Sequence, residues 1–100
     1  MQGAHYISNC TNITSPGLYV LASDLSGHQT AGYCIGVFSS NVTLDGDGHS
    51  LYGSYHEGLG VYVNGSSRNV TIEDMEVTDY RTGLGVYGNN DRVFNVTADN

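Results

Sequence analysis

One seven-residue phrase, written twice, constrains this chain more than any other feature. GLGVYVN runs from Gly58 to Asn64 and GLGVYGN from Gly83 to Asn89, 25 residues apart with six of seven letters unchanged. A second pattern surrounds it: SSNVTL (Ser39 to Leu44) returns as SSRNVTI (Ser66 to Ile72), which sets Asn41 and Asn69 28 residues apart. A third, fainter correspondence matches Ile72, Met75 and Val77 to Val93, Val96 and Ala98 at an offset of 21. The period wanders, but the order of parts holds. Each unit has an apolar strand with Gly before it, a Ser/Asn/Gly turn, a short Val-x-Ile strand and another turn.

Within the units, apolar residues alternate at spacing two, the strand period. Ile35 and Val37, Val61 and Val63, Val70 and Ile72, and Met75 and Val77 are such pairs. Gly, Asn, Asp and Ser cluster between them and adopt turn conformations at little cost. No segment sustains a helical period. Short strands at a period in the twenties describe coils that bury their apolar faces only by stacking on one another. The expectation is therefore an all-β chain forming a short parallel β-helix of about four coils, each 21–28 residues long. Stacking places equivalent residues about 4.8 Å apart in neighbouring coils, which explains the repetition. The doubled phrase then sets Val61 near Val86 inside and Tyr62 near Tyr87 outside, the tyrosines forming a stacking ladder. An antiparallel β-sandwich also uses many short strands but gives no reason for a repeated phrase.

The chain of 100 residues reads as a single domain, residues 1–30 being an N-terminal cap or first coil and 31–100 the repeat coils. With three Arg, no Lys and ten acidic residues, its net charge of −7 argues against nucleic-acid partners and anionic membranes. No apolar run is long enough to span a bilayer. The N-terminal MQGAHYISNC lacks the features of a secretory signal. Six Asn-X-Ser/Thr triplets, at Asn9, Asn12, Asn41, Asn64, Asn69 and Asn95, are glycan acceptors in a secreted chain. The reading is thus of a mature or recombinant extracellular form whose signal has been removed, with covalent N-glycans on some of these sites. The competing reading of Asn-Val-Thr is a plain turn-then-strand consensus.

Cys10 and Cys34 lie 24 residues apart, about one coil, so stacking brings them within disulfide range. Asp45 and Asp47 in LDGDGH resemble the start of a calcium loop without its remaining ligands, so a structural calcium is the one cofactor considered and otherwise none is expected. Glu73, Asp74, Glu76 and Asp79 form a second acidic group, read as a solvated face. His5, His28, His49 and His56 show no ligand spacing. Arg68 and Arg92, 24 residues apart, could stack beside acidic neighbours, but no Trp is present to carry a sugar, and the expectation is that the chain is not an enzyme.

The stretches CTNITSPGLYVLASDLSG, CIGVFSSNVTLDGDGHSLYG and NVTIEDMEVTDYRTGLGVYGNN resemble the NosD-like parallel β-helix repeats found in archaeal, methanogen-type surface and sheath proteins. The resemblance covers nearly the whole chain from about Ile7. It implies a right-handed coil and a scaffold role, since these coils serve in adhesins, sheaths, surface layers and carbohydrate-active enzymes. NosD itself is associated with copper-site assembly, but this chain carries no recognisable copper site. A coil stack has open ends that template further strands. The first functional expectation is therefore an extracellular structural subunit that pairs head to tail with copies of itself into a filament or sheath. A carbohydrate-binding or adhesin domain of a larger surface protein comes next, and a polysaccharide-active enzyme last.

Overall fold

The computed structural model describes residues 4–26, 32–53, 58–78, 82–87 and 90–99. Among these described residues eleven strands follow one another: β1 (His5–Ile7), β2 (Thr11–Ile13), β3 (Gly17–Leu21), β4 (Leu25–Ser26), β5 (Tyr33–Val37), β6 (Val42–Asp45), β7 (Ser50–Tyr52), β8 (Leu59–Val63), β9 (Thr71–Thr78), β10 (Thr82–Val86) and β11 (Arg92–Asp99). No helix occurs among the described residues. Every pairing between these strands is parallel, which rules out the antiparallel sandwich. The strands form two sheets. One runs β10-β8-β5-β2; the other runs β1-β3-β6-β9-β7-β4, with β11 also on β9.

Apart from β1, which pairs with β3 at an offset of 14, each strand pairs with its counterpart one unit along the chain. Thr11 faces Ile35, and Ile35 faces Val61. Leu44 faces Ile72, which faces Val93, at offsets of 28 and 21. Leu25 faces Leu51, and Leu51 faces Val77. The long β9 joins the last two ladders because it bends at Asp74, so its first half meets β6 and its second half β7. These columns are the core: Leu44, Leu51, Val61, Val63 and Val77 have no exposed surface, and Ile72 almost none. Burying each such side chain contributes roughly 1.5–3 kcal/mol.

The doubled phrase does not stack in phase. Val61 faces Leu84, Tyr62 faces Gly85, and Val63 faces Val86, an offset of 23 rather than 25. The expected Val61–Val86 and Tyr62–Tyr87 partnerships are therefore corrected by two residues. A slip of two keeps every side chain on its own face, so the core is unharmed. It also sets Gly85 opposite Tyr62, and a Cβ at Gly85 would stand 2.5 Å from Leu59 Cδ2 and 3.1 Å from Tyr87 Cε2.

The bends between strands, and those within β9 and β11, fall on residues that tolerate a left-handed backbone. Asn41, Asn69, Asp74 and Asn95 have φ between 53° and 59°, a region Asn and Asp enter more readily than other side chains. Hydrogen bonds then stitch bend to bend. The Asn41 N–H donates to the Arg68 carbonyl, and the Arg68 N–H donates to Ser40 Oγ at 2.9 Å.

Candidate functional site

Three features of the surface carry chemistry. The first is aromatic. On the outer face of the four-stranded sheet, one column runs Asn12, Gly36, Tyr62, Gly85. Tyr33 stacks on Tyr62 with centroids 5.2 Å apart, Phe38 lies 5.8 Å from Tyr62, and Tyr87 5.7 Å from it. The tyrosine contact survives the two-residue slip as a diagonal one. Gly36 makes the cluster possible: a Cβ there would stand 2.4 Å from Tyr33 Cε1, 2.7 Å from Phe38 Cε2 and 2.9 Å from Asn12 Oδ1. The rings fold in over bare backbone, and the Asn12 amide meets them there.

The second feature is acidic. Asp45 faces Glu73 directly across the β6–β9 pairing, and Asp74 adjoins. Carboxylate oxygens of these three residues lie within 4.8 Å of one another, close enough to hold a cation between them. Partial burial, then the Asp45 charge, then that of Asp74 push the Glu73 carboxyl above its ordinary pKa. Asp47, expected beside Asp45 as a ligand, is not in this trio; its N–H donates to Asp45 Oδ1 at 2.8 Å, closing a local turn. Asp47 instead lines a shallow hollow with Asp74, Met75, Glu76 and Asn95. Asp79 lies outside the described residues, as do His28 and His56.

Third come the sequons and the cysteines. Cys10 and Cys34 form a disulfide that ties the segment before β2 to β5, their Cα atoms 4.5 Å apart. Asn9, Asn12, Asn41, Asn69 and Asn95 are exposed, and Asn64 is half-buried. Asn69 Nδ2 donates to Asn41 Oδ1 at 3.1 Å, and Asn95 Nδ2 donates to Asp74. Asn64 Oδ1 accepts the Ser66 N–H, holding the turn after β8.

Arg68 and Arg92 occupy different places in the unit, since Arg92 faces Thr71. Sequence reasoning missed two contacts. His49 Nδ1 lies 3.2 Å from Asp24 Oδ1, which also accepts the Ser50 N–H. The Asp45–Glu73 pair was missed too, although the 28-residue offset of Asn41 and Asn69 points from Asp45 straight to Glu73.

The two ends of the ladders differ. At one end the edge strands are β1, β2 and β4; at the other they are β10 and the two halves of β11. Ile7, Ile13 and Leu25, on the first set, are 6%, 1% and 4% exposed, whereas Val93, in the same inward column as Leu44 and Ile72, is 42% exposed. Comparison with protein-family models, curated proteins and solved structures found no match to this chain.

Proposed function

We propose that the chain is a short right-handed parallel β-helix of about four coils, a NosD-like repeat, acting outside the cell as a structural subunit. In this reading copies join head to tail into a filament or sheath. One observation carries it: both ends of the ladders offer three short edges running in the same sense. β1, β2 and β4 stand at one end, β11 (two halves) and β10 at the other. An edge of unpaired N–H and C=O groups templates another strand. Edges of matching number and direction take the next copy without inverting it, and such a contact extends rather than closes.

The disulfide and the six sequons support an extracellular site of action. Among the described residues, no helix is long and apolar enough to cross a membrane. The reading is non-enzymatic, and the separate positions of Arg68 and Arg92 in the unit favour that.

A second reading has its own support. β1 pairs with β3 at an offset of only 14, which breaks the repeat, and the inward residues at that end are buried. A stack sealed at its start and open at its continuation suits the first coils of a carbohydrate-binding or adhesin domain in a larger surface protein. Negative-stain electron microscopy, with the mass in solution, separates the two. Fibres with an axial repeat of roughly 19 Å, four layers at about 4.8 Å, support the filament. A stable 10.7 kDa monomer at every concentration overturns it.

A further inference from the structure

The aromatic cluster on the four-stranded sheet is left without a task by end-to-end assembly, because it lies on the lateral surface. Its neighbour in the outward column is a sequon. Asn12 is exposed on the edge strand β2 and is followed by buried Ile13 and exposed Thr14. Its Oδ1 and the rings of Tyr33 and Phe38 converge on the point where Gly36 lacks a Cβ, within 2.9 Å of it in each case. Tyr62, one strand further along the column, stacks on Tyr33 and contacts Phe38. The Asn12 side chain thus stands beside the rings, and a group attached to its amide and turned along the column reaches them within one strand spacing, about 4.8 Å.

A pyranose suits that path. One face of the sugar ring presents C–H groups with partial positive charge, which lie well over the electron-rich face of an aromatic ring. Its hydroxyls point outward to water, so a partly exposed ring cluster gains a cover without a polar group being stripped of solvent. Phe38 is 37% exposed and Tyr33 and Tyr62 are half-buried, so the cluster keeps open aromatic surface for such a cover.

We propose that Asn12 is the glycan attachment site of the chain that matters to its fold, and that the attached sugar packs over the rings of Tyr33, Phe38 and Tyr62 that cover Gly36. This rests on the extracellular glycoprotein reading above. The modification forms a bond between Asn12 Nδ2 and the anomeric carbon of the sugar. It breaks the bond from that carbon to a phosphate oxygen of a lipid-phosphate-linked oligosaccharide donor. The lipid phosphate leaves, and the amide gives up one proton.

The test uses four full-length chains: the natural sequence, Thr14→Ala, Phe38→Ser, and both changes together. Thr14→Ala removes the sequon without touching the column. Each is made in a secreting host that N-glycosylates and, for subtraction, in a bacterium that does not. Glycopeptide mass spectrometry reads occupancy, and thermal melting reads packing. The expected result is an occupied Asn12 whose glycan raises the melting midpoint by about 4 °C or more, and by nothing once Phe38 is Ser. An equal rise in both backgrounds overturns the packing. Asn12 left bare while other sequons are occupied overturns the site and leaves the glycoprotein reading intact. No glycan on any sequon overturns both, and fibre formation is scored separately by microscopy.

Discussion

Single residues set how closely successive units approach. Gly46 is buried where the chain turns from β6, and a Cβ there would lie 2.4 Å from the Asp74 carbonyl oxygen and 2.3 Å from Met75 Cβ. Those atoms belong to, or sit next to, backbone that is fixed by pairing, so nothing flexible can yield. Gly46→Ala is expected to cost roughly 3 kcal/mol, a drop in melting midpoint of more than about 10 °C. A midpoint within a degree of the natural chain would show that β9 shifts freely at Asp74. Glu73 tests the acidic corner. Burial and the Asp45 and Asp74 charges raise its pKa in the folded state, so the folded chain binds that proton more tightly than the unfolded one. Its charge therefore subtracts from stability at neutral pH, and the loss fades as the pH falls through the folded value. Glu73→Gln is expected to stabilise at pH 7 in chelator by roughly 0.2–1 kcal/mol, the scale of a cross-strand charge pair, and to change nothing at the acid end. Melting curves across pH check this. A cation held by the trio would reverse the sign, making Glu73→Gln destabilising in calcium buffer.

At the scale of elements, the offsets separate what was legible in the sequence from what was not. The 24, 28 and 21 offsets were readable because each carried a marker of geometry: Cys10 with Cys34, Asn41 with Asn69, and Ile72 with Val93. The left-handed corners recur as Asn because few other side chains tolerate them, so those corners leave a trace in the letters. The 23-residue offset of β8 and β10 was hidden by the doubled phrase itself. Identity favoured 25, whereas the pairing runs at 23 and places Gly85 where a Cβ would press on Leu59 and Tyr87. β1 lay inside the segment expected as an N-terminal cap or first coil, and its pairing was not legible, since its 14-residue offset belongs to no repeat. The aromatic cluster was half legible: the tyrosines were expected as a ladder, but Tyr33 and Phe38 join only because Gly36 leaves space. The disulfide bears on these same elements, because it clamps the edge strand β2 to β5. Closing a loop of 24 residues contributes about 3 kcal/mol. Reduction is accordingly expected to lower the melting midpoint by about 10 °C or more, whereas Cys10→Ser with Cys34→Ala should melt alike with and without reductant. An unchanged midpoint on reduction of the natural chain would mean that strand pairing alone holds the first unit.

For the whole molecule, the open end decides between a polymer and a single unit. The Arg92 N–H donates back to Val70, so alternation turns the Val93 N–H and C=O outward along the stack. The Val93 side chain is 42% exposed in a column whose earlier members, Leu44 and Ile72, are buried. Val96 follows Met75 in the same way and is half-buried. A joining copy would cover both side chains and pair with both halves of β11. Val93→Lys together with Val96→Lys places two charges in that contact, where burial without partners is costly. In the free unit both positions keep access to water, so the fold and the disulfide should survive. The expected outcome is loss of fibres by negative stain, an intact circular-dichroism spectrum and a monomer mass. Leu18→Lys is the control, because Leu18 is equally exposed at 42% but faces sideways opposite Thr43, away from the stacking direction. Fibres from the control and none from the double variant would place the joint at β11. Fibres from both would put the contact elsewhere on the surface, and the end-to-end filament would have to be abandoned.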